Sequence, residues 1–408
     1  MDLTIGTRRS SPRRVSALRS VVPNTLCVAA GFLSGFTVAY VGQIPVGELV
    51  LCAVFPWVVL RTAVNKGWPT SMQQLTWYKI LVFLVGVMAI GYIGSDLYRG
   101  TSNENLARGW ARVGFLGIDI VAFAYLIDGS WGRLQVAVLG VYLGQTVNAI
   151  ISGPLFGLWW EFGFGYSLIV VVLFLIAGRS PLLQIVTTVI LAGVSMVFGG
   201  RSLGGCCLLV AVLYGLRYAR GLFRPLAIAT ALGALAILLV AANTIILQNL
   251  GKEGSSLERQ SMIETAGEAF LSSPLIGQGS WFTSSGKMLS VLEENHRRLD
   301  PRFHHYSEDE ARTLSIHSQL LVALAEGGIM GGAFFILYGM LLIKTLQSLT
   351  RSSVPHRAFV TYLVVSGLWD LCMSPFSGVA RVQICLNVLA CLLVIMQRNG
   401  ELSETFSE

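Results

Sequence analysis

Side chains that could carry acid–base chemistry gather in and just after one long polar segment, residues 249–314. Three of the five histidines lie within it, and a fourth, His317, stands where the segment gives way to an apolar run. An imidazole titrates near neutral pH, so His317 is a candidate general base; the alternative is a polar anchor at a membrane boundary. Glu326 lies nine positions further along, roughly 13 Å deeper and on the opposite side of a helix, so the two are not a catalytic pair.

Arg201 is a candidate for binding an anionic ligand. Two glycines precede it and two more follow within residues 198–205, so a ligand can approach the backbone closely. A guanidinium group suits phosphate oxygens because it can donate two parallel hydrogen bonds. The same side chain could instead extend to lipid headgroups without any further role.

The rest of the chain is apolar enough to be solvated by lipid. Of 408 residues, 54% are hydrophobic and 12% charged, whereas soluble domains carry roughly 25% charged residues. Continuous runs of about 20 apolar residues cross a ~30 Å hydrocarbon core as helices, and their continuity argues against a β-barrel. We predict an all-α, polytopic membrane protein with about twelve transmembrane helices, at residues 21–43, 46–64, 77–95, 110–127, 132–152, 155–177, 181–199, 202–217, 224–248, 316–345, 358–376 and 379–397.

Positive charge in the short connections predicts the orientation. With the N-terminus in the cytoplasm, the cytoplasmic segments carry 17 Lys and Arg and the short outer segments five, as expected because positive loops are retained inside. The basic segment 1–20 and the tail 398–408 are then cytoplasmic, and residues 249–314 form a periplasmic loop between spans one to nine (21–248) and ten to twelve (315–397). The net charge of +7 lies on the cytoplasmic side, where it determines the membrane topology, and it gives no reason to expect nucleic-acid binding.

The outer loop is long enough to suggest a function, since connections beyond ~15 residues without one are uncommon. The serine pair at 255–256 and Glu258 predict a capped helix that runs to about Leu271, and Pro274 with the glycines at 277 and 279 ends it. None of the seven cysteines lies in the loop, and none has metal-ligand spacing. We therefore expect neither a disulfide framework nor a metal site.

A few further polar or aromatic residues stand within or at the ends of apolar spans. Charges at Asp119, Glu161 and Asp370 are unfavourable there, and for Asp370 the simplest expectation is an arginine partner or a protonated carboxyl group. Trp159 and Trp160 most simply form an interfacial belt, although such rings could also stack on a sugar.

Three motifs, taken in chain order, resemble those of the O-antigen ligase and polymerase superfamily. The first is Gly-Gly-Arg-Ser at 199–202. The second is Arg259, which opens the loop helix, followed by Pro-x-x-Gly-x-Gly at 274–279. The third is His-Ser-Gln-x-Leu at 317–321 with Glu-x-Gly-Ile-x-Gly at 326–331. The resemblance covers about residues 195–335, and the large outer loop between two late spans is similar to that of the same bacterial membrane glycosyltransferases.

The resemblance implies glycosyl transfer without a metal or another cofactor, at the outer face of the bacterial inner membrane. Arg201 and Arg259 would bind the diphosphate of an undecaprenyl diphosphate-linked glycan, since guanidinium groups can stabilise that leaving group. His317 would take the proton of the acceptor sugar hydroxyl, with His304 and His305 as competitors for this role. Further candidates for phosphate contact, each with a solvated loop face as the alternative, are Arg297, Arg298, Arg302 and Arg312.

Two products share this chemistry. A ligase transfers a finished polysaccharide to lipid A-core, which is our leading prediction, and an O-antigen or exopolysaccharide polymerase adds the growing chain to the next repeat unit. The predicted active residues do not separate them, because both enzymes release undecaprenyl diphosphate. A transporter or flippase of lipid-linked sugars is the competing class, but such proteins tend to carry internal repeats, and the two halves of this sequence show no clear repeat.

Overall fold

The computed structural model describes residues 13–39, 43–152, 160, 164–216, 253–284, 286–307, 310, 314, 316–351, 354 and 356–399. Two short strands, β1 Thr37–Ala39 and β2 Gln43–Pro45, form an antiparallel hairpin, and Phe282–Ser284 form one 3-10 turn. The helices are α1 Arg13–Leu33, α2 Val46–Val64, α3 Ser71–Gln74, α4 Thr76–Arg99, α5 Asn103–Ile127, α6 Trp131–Ser152, α7 Gly165–Leu175, α8 Pro181–Val197, α9 Arg201–Leu216, α10 Glu253–Ser272, α11 Gly286–Leu299, α12 Gln319–Arg351, α13 Arg357–Met373 and α14 Gly378–Arg398.

Six of these helices are long and apolar enough to cross a membrane: α2, α4, α5, α6, α12 and α14. Shorter apolar helices include α7, α8 and α9. The predicted class, an all-α membrane protein, is confirmed at this level, and the count of about twelve spans stays a prediction. The predicted bounds of α2 (46–64), α6 (132–152) and α9 (202–217) agree with the helices to within one residue, whereas the predicted ninth span, 224–248, lies outside the described residues.

The first predicted span, 21–43, extends well beyond its helix. α1 ends at Leu33, and the apolar residues that follow enter the β1–β2 hairpin. At the turn between them, Gly35 lies against the backbone of Gly144 in α6, so closely that a Cβ would overlap it. Apolar composition predicts burial in lipid or protein, and this close helix contact, which composition does not reveal, accounts for the earlier end of the helix.

Small residues let α4 and α12 pack closely. A Cβ at Gly91 of α4 would lie only 2.9 Å from the carbonyl oxygen of Gly327 and the backbone nitrogen of Gly331. Gly327 and Gly331 are four residues apart and so share one side of α12, the spacing that brings membrane helices together through van der Waals contact. The two helices run antiparallel, so the end of α4 lies beside the beginning of α12.

The predicted loop helix is present as α10, Glu253–Ser272. Its end is confirmed to within one residue, whereas it begins before the serine pair that was predicted to cap it. It buries Met262, Ala266 and Ala269 along one side, the pattern of a helix that packs on a neighbour, and its neighbours are α11 and α12. Between α10 and α11, the side-chain amide of Asn295 donates a hydrogen bond to Thr265 Oγ1 at 3.1 Å. The loop is therefore a packed helical pair.

Contacts bring one set of helix ends together beneath this pair, and we call that side of the molecule the loop end. The backbone N–H of Ser280 donates to Asp96 near the end of α4 at 2.6 Å. Ser318 Oγ donates to the carbonyl of Leu371 near the end of α13 at 3.3 Å. The opposite side, which we call the far end, includes the beginning of α4 and the ends of α12 and α14.

Candidate functional site

A kink in α12 receives the turn that follows α10. Gly328 has φ 64° and ψ −159°, which is not helical, so the carbonyl groups just before it are free to accept other hydrogen bonds. The backbone N–H of Gln278 donates to the carbonyl of Ala325 at 2.8 Å, and that of Gly279 donates to the carbonyl of Glu326 at 3.1 Å. The turn replaces bonds that a regular helix would make, and it fixes the loop to α12.

Glycine is required at this junction for two reasons. Gly277 has φ 87° and Gly328 has φ 64°, a region that other L-residues rarely adopt. In addition, a Cβ at Gly277 would overlap the carbonyl oxygen of Glu326. Because α10 ends at Ser272, the prediction that the Pro-x-x-Gly-x-Gly run at 274–279 ends the loop helix is confirmed.

A buried ion pair lies directly beneath the junction. Glu326, 3% exposed, accepts hydrogen bonds from Arg112 Nη2 of α5 and, at 2.8 Å, from the backbone N–H of Trp281. The guanidinium carbon of Arg112 lies 4.6 Å from the centroid of the Trp281 ring, an attractive cation–π geometry. Trp281 itself has φ 54°, and such strain persists only where the surroundings dictate it. The ion pair thus holds the end of the turn in place.

Asp96 of α4 fixes the same turn from the other side. Its carboxylate accepts the backbone N–H and the hydroxyl of Ser280 at 2.6 and 2.8 Å, and Trp110 Nε1 at 2.9 Å. Nearby, Arg99 Nε donates to the carbonyl of Gly277 at 2.9 Å. Although Asp96 is buried, both of its oxygens are hydrogen-bonded, which is the condition for burying a charge.

His317 lies immediately before α12. Ser318 caps the helix, since the backbone N–H of Leu321 donates to Ser318 Oγ at 3.2 Å, so the predicted tenth span begins too early. Burial, and then the positive charge of Arg259 in α10, hold the pKa of the His317 imidazole below its usual range. The structure therefore brings Arg259 and His317 within electrostatic reach of each other, and both effects favour the neutral imidazole, the form that a general base requires.

Arg201 begins α9 just after a left-handed turn at Gly199, where φ is 83°. The ring of Trp160 stacks on Phe198 at a centroid distance of 5.1 Å, and a Cβ at Gly200 would lie 3.1 Å from its Cδ1. Trp160 is buried by these contacts, so it neither forms an interfacial belt nor presents a face to a sugar. Its role is to pack against the turn that positions Arg201.

The end of α13 links the beginnings of α9 and α12. Ser318, just before α12, bonds to Leu371, and the neighbouring Asp370 acts electrostatically on Cys206 in α9. Arg201 precedes Cys206 by five residues, or about 7.5 Å along the helix. The beginnings of α9 and α12 therefore lie on the same side of the molecule, around the end of α13.

The other loop arginines are engaged with carboxylates on the outside of the helical pair. Arg297 pairs with Glu294 at 2.8 Å on the exposed side of α11. Arg298 pairs with Glu264 and so links α11 to α10. Arg302 pairs at 3.0 Å with the aspartate two residues before it. The geometry places these three on a solvated loop face, the alternative that the sequence left open.

The loop histidines divide into one buried and two exposed side chains. His296 Nδ1 shares a 2.7 Å hydrogen bond with the hydroxyl of Tyr306, and it is buried. His304 and His305 are exposed. Arg312 lies outside the described residues. His317 is thus the histidine that combines partial burial with a neighbouring arginine.

A second buried cluster joins three helices away from the loop. Arg381 at the beginning of α14 donates to both carboxylate oxygens of Glu48 in α2, at 2.8 and 2.7 Å. Asp119 of α5, fully buried, lies within electrostatic reach of both residues. This cluster places the carboxyl group of Asp119, within an apolar span, close to the cation of Arg381.

Asp370 has a hydroxyl partner where an arginine was one of its two predicted alternatives; the other, a protonated carboxyl group, stays a prediction. Ser374 Oγ donates to its Oδ1 at 2.7 Å. A hydroxyl donor four residues along the chain satisfies part of the carboxyl group locally. Glu161 and Trp159, the remaining polar and aromatic residues that the sequence singled out, lie outside the described residues.

The two arginine–glutamate pairs escape prediction from the sequence. Arg112 and Arg381 stand at the outer ends of two predicted spans, where the sequence uses them only to predict topology. The usable signal lies in their partners, because Glu48 and Glu326 are acidic residues inside apolar runs. A charge there requires a partner on a neighbouring helix, but the sequence does not say which helix supplies it.

The chemistry of this site rests on side chains of the loop and the adjacent helix ends. Among the residues that the structure describes, no group of three His, Cys, Asp or Glu side chains could hold a metal ion. Comparison of the chain with models of known protein families gives no match, and comparison with curated proteins finds no significant relative.

Proposed function

We propose that this chain is a membrane glycosyltransferase of the O-antigen ligase type. It would transfer a polysaccharide from undecaprenyl diphosphate to a sugar hydroxyl of lipid A-core at the periplasmic face of the bacterial inner membrane. The observation that carries the proposal is the partly buried imidazole of His317 beside Arg259 at the exit of the loop. A neutral imidazole next to a guanidinium group suits a reaction that needs both a base and a cation for a phosphate leaving group.

In the proposed reaction, His317 takes the proton of the acceptor hydroxyl and the acceptor oxygen attacks the anomeric carbon of the donor sugar. The bond from that carbon to the diphosphate oxygen breaks, and its electron pair leaves with undecaprenyl diphosphate. Arg201 and Arg259 stabilise the negative charge that develops on the leaving group.

The electrostatics also link donor binding to the strength of the base. The charge of Arg259 contributes to the lowered pKa of His317. A bound diphosphate offsets that charge, so the pKa of His317 rises when the donor is in place. His317 would therefore become a better proton acceptor when a donor is present to react.

The loop acts in this proposal as a lid over a donor site in the membrane. Support comes from its attachment at two points, the kink of α12 and the carboxylate of Asp96. Attachment to rigid helices suits a site that must hold reacting groups within a fraction of an ångström.

The proposal includes about twelve spans and cytoplasmic termini. Fusion of alkaline phosphatase after Asp300 is expected to give an active reporter, because that enzyme folds only outside the cytoplasm. A fluorescent protein fused after residue 408 is expected to fluoresce, which it does only inside. The opposite pair of results would overturn the orientation.

The proposed function is tested by single alanine substitutions of Arg201, Arg259 and His317 in the host. We expect loss of surface glycan on gels of lipopolysaccharide, with normal amounts of the protein in the membrane. Arg297→Ala and His305→Ala are matched controls, since both side chains are exposed on the loop, and they should leave the glycan unchanged. Full surface glycan in all three site variants would contradict the proposed function.

The material that accumulates in the inactive variants separates the two products. Long undecaprenyl-linked chains indicate a ligase, because polymerisation has already taken place. Surface glycan of a single repeat indicates a polymerase that shares the chemistry. Both outcomes can be read from the same gels when the lipid-linked fraction is extracted.

A pH profile tests the electrostatic link between Arg259 and His317. The base works when neutral, so activity falls as pH drops through its pKa. Arg259→Gln removes one cause of the lowered pKa, so we expect the acid limb of kcat/KM for its residual activity to move to higher pH. Arg259→Lys keeps the charge and should keep the limb in place. An acid limb that Arg259→Gln leaves unmoved would contradict the role given to this pair.

A further inference from the structure

A polar cavity opens at the far end of the molecule, remote from the proposed site. It has a volume of about 850 Å³ and lies where the beginning of α4 meets the ends of α12 and α14, between Trp77, Lys344 and Arg398. α4 spans about 35 Å between this cavity and Arg99 at the loop end, at 1.5 Å per residue. The cavity therefore faces the opposite side of the membrane-spanning body from the loop.

The cavity carries an excess of positive charge. Lys344 and Arg398 both line it, and none of the described residues that line it is acidic. The Lys344 ammonium lies 4.5 Å from the centroid of the Trp77 ring, and Arg398 Nη1 donates to Ser348 Oγ at 3.4 Å. These contacts orient the two cations without neutralising either of them, so the cavity suits an anion.

Hydrogen-bonding groups of the lining add to this preference. Ser71, Gln74 and Thr76 stand around the same opening, and hydroxyl and amide groups can donate to phosphate oxygens or to a polar headgroup. A phosphodiester held by a lysine and an arginine needs such neighbours for its remaining oxygen lone pairs.

Apolar side chains continue from the cavity along the membrane-facing surface. Ile80 lies one turn beyond Trp77 on α4, and Met340 lies one turn before Lys344 on α12. They are 41% and 56% exposed. Residues three and four apart share one side of a helix, so both apolar residues lie on the side of their helix that carries the cavity residue. A ligand with an anionic headgroup and long acyl chains fits a polar cavity that is followed by exposed apolar side chains.

We propose that the cavity binds the headgroup of an anionic phospholipid, whose phosphate lies between Lys344 and Arg398 while its acyl chains run along α4 and α12. A free phosphate ion shares the headgroup chemistry but would not use the apolar surface. The site is separate from the donor site of the proposed transferase, so it would hold even if the proposed reaction were wrong.

The test compares thermal unfolding of the full chain in nanodiscs of phosphatidylcholine with and without phosphatidylglycerol. Phosphatidylglycerol is expected to raise the midpoint of the wild type by about 2 °C or more, because a ligand that binds only the folded state stabilises it. The double variant Lys344→Gln/Arg398→Gln should lose this shift. Lys79→Gln, which removes an exposed cation of α4 outside the cavity lining, should keep it.

Two further measurements keep the outcome decisive. The charge-preserving double variant Lys344→Arg/Arg398→Lys should retain the shift even if the glutamine variant unfolds early. Inorganic phosphate added to phosphatidylcholine nanodiscs should leave the midpoint unchanged. An equal shift in the glutamine variant would overturn the site, and an equal shift with inorganic phosphate would overturn the lipid as its ligand.

Discussion

Two buried arginine–glutamate pairs occur among the residues that the structure describes, and they hold different parts of the protein together. Arg112 and Glu326 join α5 to α12 and also bind the backbone of the loop through Trp281. Arg381 and Glu48 join α14 to α2 and involve only helices. Both pairs are almost fully buried. The same chemical pair thus serves the attachment of the loop in one place and the assembly of the helices in the other.

The surroundings of the two pairs differ in their link to the loop. Arg381 has two carboxyl groups within electrostatic reach, those of Glu48 and Asp119, and Arg112 likewise has two, those of Glu326 and Asp96. Glu326 in addition accepts a hydrogen bond from a backbone N–H group of the loop. We therefore expect loss of the Arg381–Glu48 pair to affect folding alone, and loss of the Arg112–Glu326 pair to affect folding and the proposed activity together.

The largest effect on stability is expected for Arg381→Met. It leaves the carboxylate of Glu48 buried without its cation, and breaking a buried ion pair typically destabilises by about 3–5 kcal/mol. Chemical denaturation of the purified protein in detergent measures the loss. Transfer activity per folded molecule should be unchanged.

Arg297→Met is the matched control, since that arginine pairs with Glu294 on the exposed surface. Exposed pairs contribute about 0–1 kcal/mol, so stability should hardly change. Wild-type stability of the Arg381 variant would show that its pair contributes nothing to assembly.

Glu326→Gln should separate the two pairs most sharply. It removes the carboxylate to which Arg112 bonds and weakens the bond to Trp281, with a destabilisation of about 1–3 kcal/mol. Because the loop is then less firmly attached, transfer activity per folded molecule should fall by up to about 100-fold. Glu48→Gln should destabilise to a similar degree and leave that activity intact. Equal losses of activity in Glu326→Gln and Glu48→Gln would contradict the expectation that only the Arg112–Glu326 pair supports activity.

Substitution of Gly277 tests the junction itself. Gly277→Ala forces a Cβ into the left-handed region and against the carbonyl of Glu326, and we expect it to destabilise by about 1–3 kcal/mol. Gly267→Ala in α10 is the control, because a Cβ there meets no atom within 4 Å and should stabilise the helix by about 0.4–1 kcal/mol. Thermal unfolding of both variants measures these changes in stability. An unchanged stability of Gly277→Ala would contradict the described junction.

The smallest effect is expected for Asp119→Asn. Arg381 already bonds to both oxygens of Glu48, so removal of the extra carboxyl charge should change the free energy of unfolding by less than about 1 kcal/mol. The measurement is the same denaturation series. A loss as large as that of Arg381→Met would mean that Asp119 belongs to the ion pair.

Helices and their ends could be predicted from the sequence because their causes are local. The end of α10 follows from proline and glycine within a few residues, and the bounds of α2 follow from one apolar run. The ion pairs could not be predicted, because Arg112 and Glu326 are 214 residues apart and Arg381 and Glu48 are 333 apart. At such separations, composition shows that a charge needs a partner without identifying it. The early end of α1 was missed for a similar reason, since Gly35, just after it, contacts the backbone of Gly144 more than 100 residues away.

His317 could be predicted from the sequence only in part. Its place at the exit of the loop and the resemblance of its motif single it out from the sequence. Its burial and the electrostatic influence of Arg259 depend on how α10 packs on α12. Only the folded chain distinguishes it from the exposed His304 and His305.

The junction between the turn and the kink also sets an order of events during synthesis. The N–H groups of Gln278 and Gly279 find their acceptors only on α12, which the ribosome makes about 50 residues later. Until that helix is inserted, the loop has no anchor on it, and protease digestion of stalled nascent chains should cleave between α10 and α11. The bonds of Ser280 to Asp96 can form before then, so partial resistance to the protease is expected first and full resistance only when α12 is complete.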